Sequence, residues 1–409
     1  MNTQPPPTPI ERAKLSIARS HSLSEWSILE GGSPTPTPIS TISTTTTTTI
    51  TIGTSHFIDN TPRSPLTDFT EPHGDTLPQL PTVITGCCTE WPSYQSDSCW
   101  HIQQLAARTT LQVSLDGGPS FARQSICRGK VTLTEYEQYC HASCEKDAAP
   151  LYVFDPDILT STFLDGTPID SEFSTPRCFT NDSMGSLTGT IYRPLPPAWL
   201  LVGAARSGTP IHNHPYTVAW NALLSGTKLW CCLPPDVDEE FLLLNLDADG
   251  CIPDDEPFDL SALEWFIKIG QCELPKETQI IVQHPGEVVF LPKGWFHVVL
   301  NVPGTVTKGN DGRKERERKD VSVAISVSLT LRRDLIALFP DLIAEDPHFA
   351  FFWLRQLEQE NAAMGSPDGS PEGKKESDLS ADDLAVLKAM VIDYDARLLQ
   401  ETMAAGEKK

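Results

Sequence analysis

The sequence predicts an all-β core, a barrel or sandwich of short strands, followed by helices. From about residue 80 the chain consists of short apolar runs that Gly, Pro and Asp interrupt. Their close spacing is typical of a barrel or sandwich rather than of a parallel doubly wound sheet. After residue 334 the apolar residues recur at helical spacing. We therefore expect flanking α-helices and C-terminal helices around a β core.

The predicted elements begin with a strand over residues 81–86 (PTVITG) and a short helix over residues 98–107. The remaining strand candidates are residues 151–154, 199–202, 218–224, 228–233, 279–283, 287–291, 297–302 and 321–329. A final helix over residues 381–403 carries an apolar stripe at 3.6-residue spacing. This stripe must pack either on the domain or on a second copy of the chain, so a homodimer through the C-terminal helices is one expectation.

The chain divides by composition into three parts. Ser, Thr and Pro make up about half of residues 1–70, and so few apolar side chains cannot offset the entropy of ordering them, which predicts a disordered arm. The β domain is expected over residues 75–335, with a strongly charged loop insert at residues 304–320. A helical region over residues 336–409 follows, with an acidic linker at residues 365–380.

The charge balance narrows the choice of partners. There are 54 Asp and Glu residues against 31 Lys and Arg residues, a formal net charge of -23. Sequence-independent binding to the phosphates of nucleic acid is therefore not expected, and neither is any other direct nucleic-acid binding. A basic protein segment, by contrast, suits such an acidic surface. No window reaches the roughly 18 apolar residues of a membrane span, and no apolar block of a secretion signal begins the sequence. A cytoplasmic or nuclear protein without membrane attachment is expected.

Three histidines are the candidate metal ligands. His212 and His214 follow a turn of small residues at what reads as the start of a strand, and residues i and i+2 of a strand point to the same side. His297 follows a strand and a Pro/Gly turn, so it also begins a strand. Such a triad leaves open positions on a metal. The competing interpretation is that these are buried structural histidines.

Lys228 is the candidate anion-binding residue. It begins an apolar strand after a tight turn and lies among Leu, Trp and Cys residues. A buried ammonium is costly unless an anion meets it. The alternative is a lysine at a strand end that extends to solvent.

Two segments of the chain resemble a known family. SGTPIHNHPYTVAWNALLSGTKLWCCLPP and HPGEVVFLPKGWFHVVLNV are similar to JmjC domains, which are Fe(II) and 2-oxoglutarate dependent oxygenases on a double-stranded β-helix (cupin) barrel. The nearest branch is the phosphatidylserine-receptor-like group of arginine demethylases and lysyl hydroxylases. The segments PTVITGCCTEWP, PLYVFDP and YRPLPPAWLLVGAARSGT extend the resemblance over roughly residues 75–335.

The resemblance implies roles for individual residues. His212 and His297 match iron ligands, and Lys228 matches the residue that pairs with the distal carboxylate of 2-oxoglutarate. The positions that line the co-substrate pocket are matched by Thr209, Asn221, Asn301 and Ser326, the last standing where a threonine is usual. Tyr136 or Tyr139 would add a hydroxyl.

One position departs from the family pattern of two histidines and one carboxylate, because His214 stands where the carboxylate is expected. This replacement removes one negative charge from the metal shell, which makes Fe(II) harder to oxidise. A neutral three-histidine site holds Fe(II) in some other cupin dioxygenases, and it also suits zinc.

Two functional hypotheses follow from this departure. The first is a 2-oxoglutarate and Fe(II) dependent dioxygenase that hydroxylates or demethylates a side chain of a protein or peptide substrate. The second is a catalytically inactive JmjC module that binds a partner.

Overall fold

Three sheets and six helices make up the described part of the computed structural model. The described residues are 39–43, 48–69, 77–95, 99–116, 129–142, 144, 147, 150–194, 197–244, 251, 260–303, 321–364 and 381–406. The predicted charged insert (304–320) and acidic linker (365–380) lie outside them, as do residues 1–38 of the predicted arm. Among the described residues no helix combines the length and apolar character needed to cross a membrane.

The β core consists of a large sheet and a small sheet. The strands of the large sheet are β4 (Arg63–Pro65), β5 (Thr82–Thr85), β6 (Gln112–Asp116), β7 (Gly129–Thr132), β8 (Tyr152–Asp155), β9 (Ala198–Ala204), β11 (Val218–Ser225), β14 (Val288–Leu291) and β16 (Val321–Leu329). Those of the small sheet are β10 (Gly208–His212), β12 (Thr227–Leu233), β13 (Gln279–Gln283) and β15 (Phe296–Val302). Neighbouring strands follow the order β4-β5-β14-β11-β16-β9-β8-β6-β7 in the large sheet and β10-β15-β12-β13 in the small sheet.

The two sheets face each other and form a barrel. Ala219 of the large sheet and Trp230 of the small sheet belong to one apolar cluster between them. Side chains alternate along each strand, so Ala219, Asn221 and Leu223 face this interior while Trp220 packs on the outside of the large sheet. The predicted all-β fold class is confirmed, and each strand predicted from residue 80 onward lies within two residues of an observed one.

Helices cover the outside of the barrel. Helices α1 (Ile102–Arg108) and α2 (Leu133–Ala142) pack on the large sheet, and α3 (Ala262–Ile269) packs on the small sheet. A capping box at Ser261 and Glu264 begins α3, because each side chain bonds the backbone N–H of the other residue. The outer layers bury the apolar face of each sheet and leave the polar residues of the strands facing the interior.

The N-terminal segment requires a correction. Residues expected to be disordered form a third sheet of β1 (Ile39–Ser43), β2 (Thr48–Ile52) and β3 (Ser55–Ile58). Ile50, Ile52 and Phe57 are buried against the outer face of the small sheet. Composition predicted disorder because Ser and Thr dominate this segment, but their alternation with isoleucine creates one apolar face that a sheet can bury.

Three helices end the described chain, namely α4 (Arg332–Glu345), α5 (Pro347–Met364) and α6 (Ala381–Gly406). They form a separate apolar cluster into which Tyr192 and Tyr216 of the barrel loops also pack. Leu384 and Leu387 of the predicted stripe on α6 are buried in this cluster. The described part of the stripe therefore packs on the chain's own helices, and dimerisation through these helices stays a prediction.

Two glycines permit close approaches inside the barrel. Gly226 has a φ of 83° in the turn between β11 and β12, and a Cβ there would lie 2.5 Å from the Ser322 Cα. A Cβ on Gly203 would lie 2.1 Å from Asn301 Nδ2. Because both positions lack a side chain, β12 can turn back tightly and the polar residues of β15 can approach β9.

We predict that Phe57→Ala lowers the free energy of unfolding by about 3–5 kcal/mol, since it removes a buried ring. This ring lies edge-on to Phe266 of α3, with 5.1 Å between the centroids. The adjacent Ile58 is 54% exposed, so Ile58→Ala is the matched control and should change the free energy by less than about 0.5 kcal/mol. Urea denaturation measures both, and equal effects would contradict a folded N-terminal sheet.

Candidate metal centre

The three predicted histidines meet at one end of the barrel. His212 ends β10 and pairs in register with His297 of β15, while His214 lies in the connection to β11. One nitrogen from each ring lies within 4.8 Å of the others, and the His212 and His297 ring centroids are 4.0 Å apart. The expected strand alternation of His212 and His214 is not what aligns them, because β10 ends at His212 after a register shift.

Backbone carbonyls orient two of the three rings. His212 Nδ1 lies 2.8 Å from the Pro210 carbonyl oxygen, and His297 Nδ1 lies 3.2 Å from that of Trp295. A carbonyl accepts only from an N–H, so Nδ1 carries the proton and Nε2 presents a lone pair in both rings. This is the tautomer that binds a metal ion.

The rings are electrically neutral at physiological pH. Burial lowers the pKa of all three histidines, and for His214 burial together with the neighbouring His212 lowers it to about 3. The group that they form contains no carboxylate. The centre therefore consists of nitrogen donors without charge.

These donors fit a divalent transition metal. Three nitrogens that bind one cation at about 2.1 Å lie roughly 3–3.5 Å apart. The nitrogens here lie within 4.8 Å of one another, so small ring movements bring them to that spacing. Neutral imidazole suits both iron and zinc, and the donor set alone does not choose between them.

A second polar group lies deeper in the barrel around Lys228. The Lys228 side chain is 1% exposed, and its Nζ donates to Asn301 Oδ1 at 2.8 Å and to the Tyr152 hydroxyl at 3.2 Å. Asn301 Nδ2 in turn donates to Ser207 Oγ at 2.9 Å. Thr209, on β10, forms a side-chain hydrogen bond with Tyr152. The structure thus brings the predicted Thr209, Lys228 and Asn301 together.

No carboxylate pairs with Lys228 among the described residues, where its neighbours are neutral. Burial lowers the pKa of this lysine to about 7. An ammonium in such surroundings is stabilised by an incoming anion, because the anion supplies the missing opposite charge. The Lys228 site therefore has the character of an anion-binding pocket.

Asn221 and Ser326 occupy neighbouring inward positions of the large sheet, where β11 and β16 pair. Asn221 is 3% exposed, and its Oδ1 has no hydrogen-bond partner among the described residues. A buried polar atom without a partner costs about 1–3 kcal/mol. This amide is therefore suited to a polar ligand in the barrel.

The tyrosine expectation requires a correction. The Tyr136 hydroxyl donates to the Leu151 carbonyl, and the Tyr139 hydroxyl donates to Asp147, both on the outer side of the large sheet. Neither hydroxyl reaches the pocket, and Tyr152 supplies it instead. The alternation of side chains in the strand LYVFD could have predicted this, because it places Tyr152 and Phe154 on the inner face and Val153 on the outer face.

The metal centre and the Lys228 pocket share one wall. His297 and Asn301 lie four residues apart on the inner face of β15, about 13 Å along the strand. Trp230 and Val299 lie between them, and the Trp230 ring stacks 6.0 Å from that of His297. A ligand with two polar ends could therefore bind with one end at the histidines and the other at Lys228, while its middle contacts Trp230 and Val299.

The chain matches known proteins over this region. Residues 199–307 match the family described as JmjC domain, hydroxylase. The bifunctional arginine demethylase and lysyl-hydroxylase psr-1 of Caenorhabditis elegans is 26% identical over 297 residues, which cover 70% of this chain and 64% of the relative. The arginine-specific demethylase JMJ22 of Arabidopsis thaliana is 30% identical over 236 residues, which cover 56% of this chain and 41% of the relative.

A third relative is the 2-oxoglutarate and iron-dependent oxygenase JMJD4 of Gallus gallus, 30% identical over 150 residues that cover 34% of this chain and 32% of the relative. The alignments thus span less than two thirds of the length of each of these relatives. The family match contains all three histidines and Lys228. Of these, His212, His297 and Lys228 lie on barrel strands, and His214 lies in the connection between β10 and β11. Residues 199–307 are therefore similar to JmjC domains.

Proposed function

We propose that this protein is a 2-oxoglutarate and Fe(II) dependent dioxygenase that hydroxylates or demethylates a side chain of a protein. The observation that carries the proposal is the pairing of a neutral three-histidine centre with a buried lysine that has no carboxylate partner among the described residues. His212, His297 and Lys228 share the inner face of the small sheet. The relatives named above as demethylases, hydroxylases and iron-dependent oxygenases support the same reaction class.

The residues divide the work between binding and exclusion of water. His212, His214 and His297 would hold the iron, which together with 2-oxoglutarate supplies the oxidising chemistry. The Lys228 ammonium, which donates to the Tyr152 hydroxyl, would pair with the distal carboxylate of 2-oxoglutarate, and the Tyr152 hydroxyl would donate to the same group. The remaining oxygens are suited to the neutral side chains around them, namely Thr209, Asn221, Asn301 and Ser326.

The apolar wall has a separate role. Trp230, Val299 and Leu291 are buried between the two sheets and present apolar atoms to the interior, where they would exclude water from the co-substrate. A dry wall strengthens each electrostatic contact and protects the reaction from side products. The chain's own contribution is therefore orientation and a dry cavity.

The substrate is proposed to be a protein or peptide with Lys or Arg side chains. The formal net charge of -23 favours the approach of a basic segment, because unlike charges attract within about one Debye length, beyond which salt screens them. The relative named as an arginine demethylase and lysyl-hydroxylase supports this class of side chain.

A second candidate function rests on His214. This histidine stands at the position of the usual carboxylate ligand, so the centre has one negative charge fewer than its family pattern. Such a centre also suits zinc, in which case the domain would bind a partner without oxidising it. The identity of the ion and the release of succinate separate the two candidates.

The proposal predicts that the purified protein binds Fe(II) and releases succinate from 2-oxoglutarate under air. His214→Asp restores the missing negative charge and should raise the turnover if the neutral shell limits the reaction. Mass-spectrometric detection of succinate measures both proteins. If neither protein releases succinate and 2-oxoglutarate does not raise the melting temperature of either, the dioxygenase proposal fails.

The metal centre itself can be tested without turnover. His297→Ala should lower the affinity for Co(II) by more than about 100-fold, because a ligand is lost rather than a supporting hydrogen bond. His284→Ala is the matched control, since His284 lies in the turn before β14 and outside the three-histidine group. Calorimetric titration of the metal-free proteins measures both. Equal affinities in the two variants would refute the assignment.

Lys228→Met should lower the affinity for 2-oxoglutarate by about 10–100-fold, the equivalent of one hydrogen bond to a charged group. Lys276→Met changes an exposed lysine in the same way and should have no effect. Titration calorimetry of the metal-loaded proteins measures this difference. Unchanged binding by Lys228→Met would remove the anion-pocket assignment.

Proton uptake is a second readout of Lys228. Its pKa is lowered to about 7 by burial, so at pH 8 the lysine is mostly neutral before binding. A dicarboxylate raises this pKa again, and wild-type protein should therefore take up a proton on binding at pH 8 but none at pH 6. Calorimetry in buffers of different ionisation enthalpy detects the uptake, which Lys228→Met should abolish.

A further inference from the structure

The loop that carries His214 is the irregular part of the metal centre. His212 and His297 lie on paired strands, whereas His214 lies in the connection over residues 213–217 between β10 and β11. The backbone ladder that fixes the first two positions does not extend to the third. Something other than strand pairing must therefore place the His214 nitrogen.

The ring of His214 also lacks the support that the other two rings have. His212 and His297 each donate from Nδ1 to a backbone carbonyl. Among the described residues, the structure gives no hydrogen bond to the His214 ring. The position of this ligand thus depends on the backbone of its loop.

Two backbone contacts hold the loop. The Gly294 N–H donates to the His214 carbonyl at 3.0 Å, from the turn before β15. The Thr330 hydroxyl donates to the Tyr216 carbonyl at 3.0 Å, from the end of β16. The loop is therefore tied to the barrel at both of these residues.

The Tyr216 side chain adds a third tie, which leads out of the barrel. Its hydroxyl donates to the Glu345 carboxylate at the end of α4. Its ring lies edge-on to Phe349 of α5, with 6.3 Å between the centroids, and packs on the apolar cluster of the C-terminal helices. Both partners lie beyond the residues that match the JmjC family.

We infer that Tyr216 is a positioning residue for His214, through which α4 and α5 hold the third nitrogen of the metal centre. The inference rests on the metal centre of the proposed function. Tyr216 follows His214 by two residues, so a rotation of the loop about its ties moves the imidazole directly. If the ties were lost, a bound metal would keep the nitrogens of His212 and His297, and water would take the place of the His214 nitrogen.

The test uses the full chain loaded with Co(II), whose visible absorption shifts to longer wavelength when water, a weaker-field ligand, replaces a nitrogen ligand. Tyr216→Ala removes the hydrogen bond and the ring contact, and it should lower Co(II) affinity by about tenfold and shift the absorption to longer wavelength. Tyr216→Phe removes only the hydrogen bond, and it should lower the affinity by about a few-fold. Thr330→Val removes the tie to the Tyr216 carbonyl and should change both readouts in the same direction.

Tyr192 provides the matched control. Its ring stacks on that of Phe349 of α5, which Tyr216 also contacts, with 4.7 Å between the centroids. Its hydroxyl makes no hydrogen bond among the described residues. Tyr192→Ala should lower the melting temperature of the metal-free protein, since it removes a packed ring, but leave the affinity and the spectrum unchanged. This contrast separates positioning from general packing of the helices.

Each outcome has a defined meaning. Wild-type affinity and spectrum in Tyr216→Ala, or equal losses in Tyr192→Ala, overturn the positioning role and leave the metal centre intact. A wild-type protein that takes up no Co(II) overturns the metal centre and this inference together. If Tyr216→Ala does not fold, Tyr216→Phe and Thr330→Val decide: unchanged affinity and spectrum in both overturn the role, and the predicted losses support it.

Discussion

The register of β15 is the constraint on which both halves of the candidate site depend. This strand pairs with β10 on one side, which sets His212 opposite His297, and with β12 on the other, which sets Lys228 opposite Asn301. A slip of β15 by one residue would turn His297 and Asn301 to the outer face of the small sheet, away from His212 and Lys228. The metal centre and the anion pocket are therefore products of one strand alignment.

Apolar burial on the opposite face holds this register. Val298, Leu300 and Val302 alternate with the site residues and pack on α3 and on the N-terminal sheet. The outer layers therefore act on the site through the register, although they contribute no functional side chain to it. For the same reason the N-terminal sheet, which buries Phe57 on this face, belongs to the structural support of the barrel.

The strands were predictable because each carries its own apolar pattern. The run from Phe296 to Val302 and the run from Val321 to Leu329 are rich in β-branched residues, so local sequence alone indicates a strand. The N-terminal sheet was missed because its isoleucines are sparse among Ser and Thr, and only a distant partner makes their common face useful. Composition records local preference but not the surface that a segment finds after folding.

The candidate site was predictable to a similar degree and for related reasons. The expectation that His212 and His297 meet, and that Lys228 needs an anion, followed from residue type and from strand context. Tyr152 was missed in favour of Tyr136 and Tyr139 because the choice depends on which face of β8 and of α2 looks into the barrel. That orientation is set by contacts between separate elements. The Tyr136 hydroxyl donates to the Leu151 carbonyl, and the Leu151 N–H donates to the Tyr139 hydroxyl.

In the proposed centre, a histidine instead of a carboxylate at residue 214 would act on two properties in opposite directions. A divalent ion, a 2-oxoglutarate dianion and a protonated Lys228 sum to a charge of about +1 with three neutral imidazoles, whereas a carboxylate ligand would bring the sum to zero. The extra charge at the metal end attracts the dianion more strongly in a dry cavity. The same charge makes the metal harder to oxidise. Co-substrate binding is therefore compatible with slow or absent turnover, because one histidine favours the first and opposes the second.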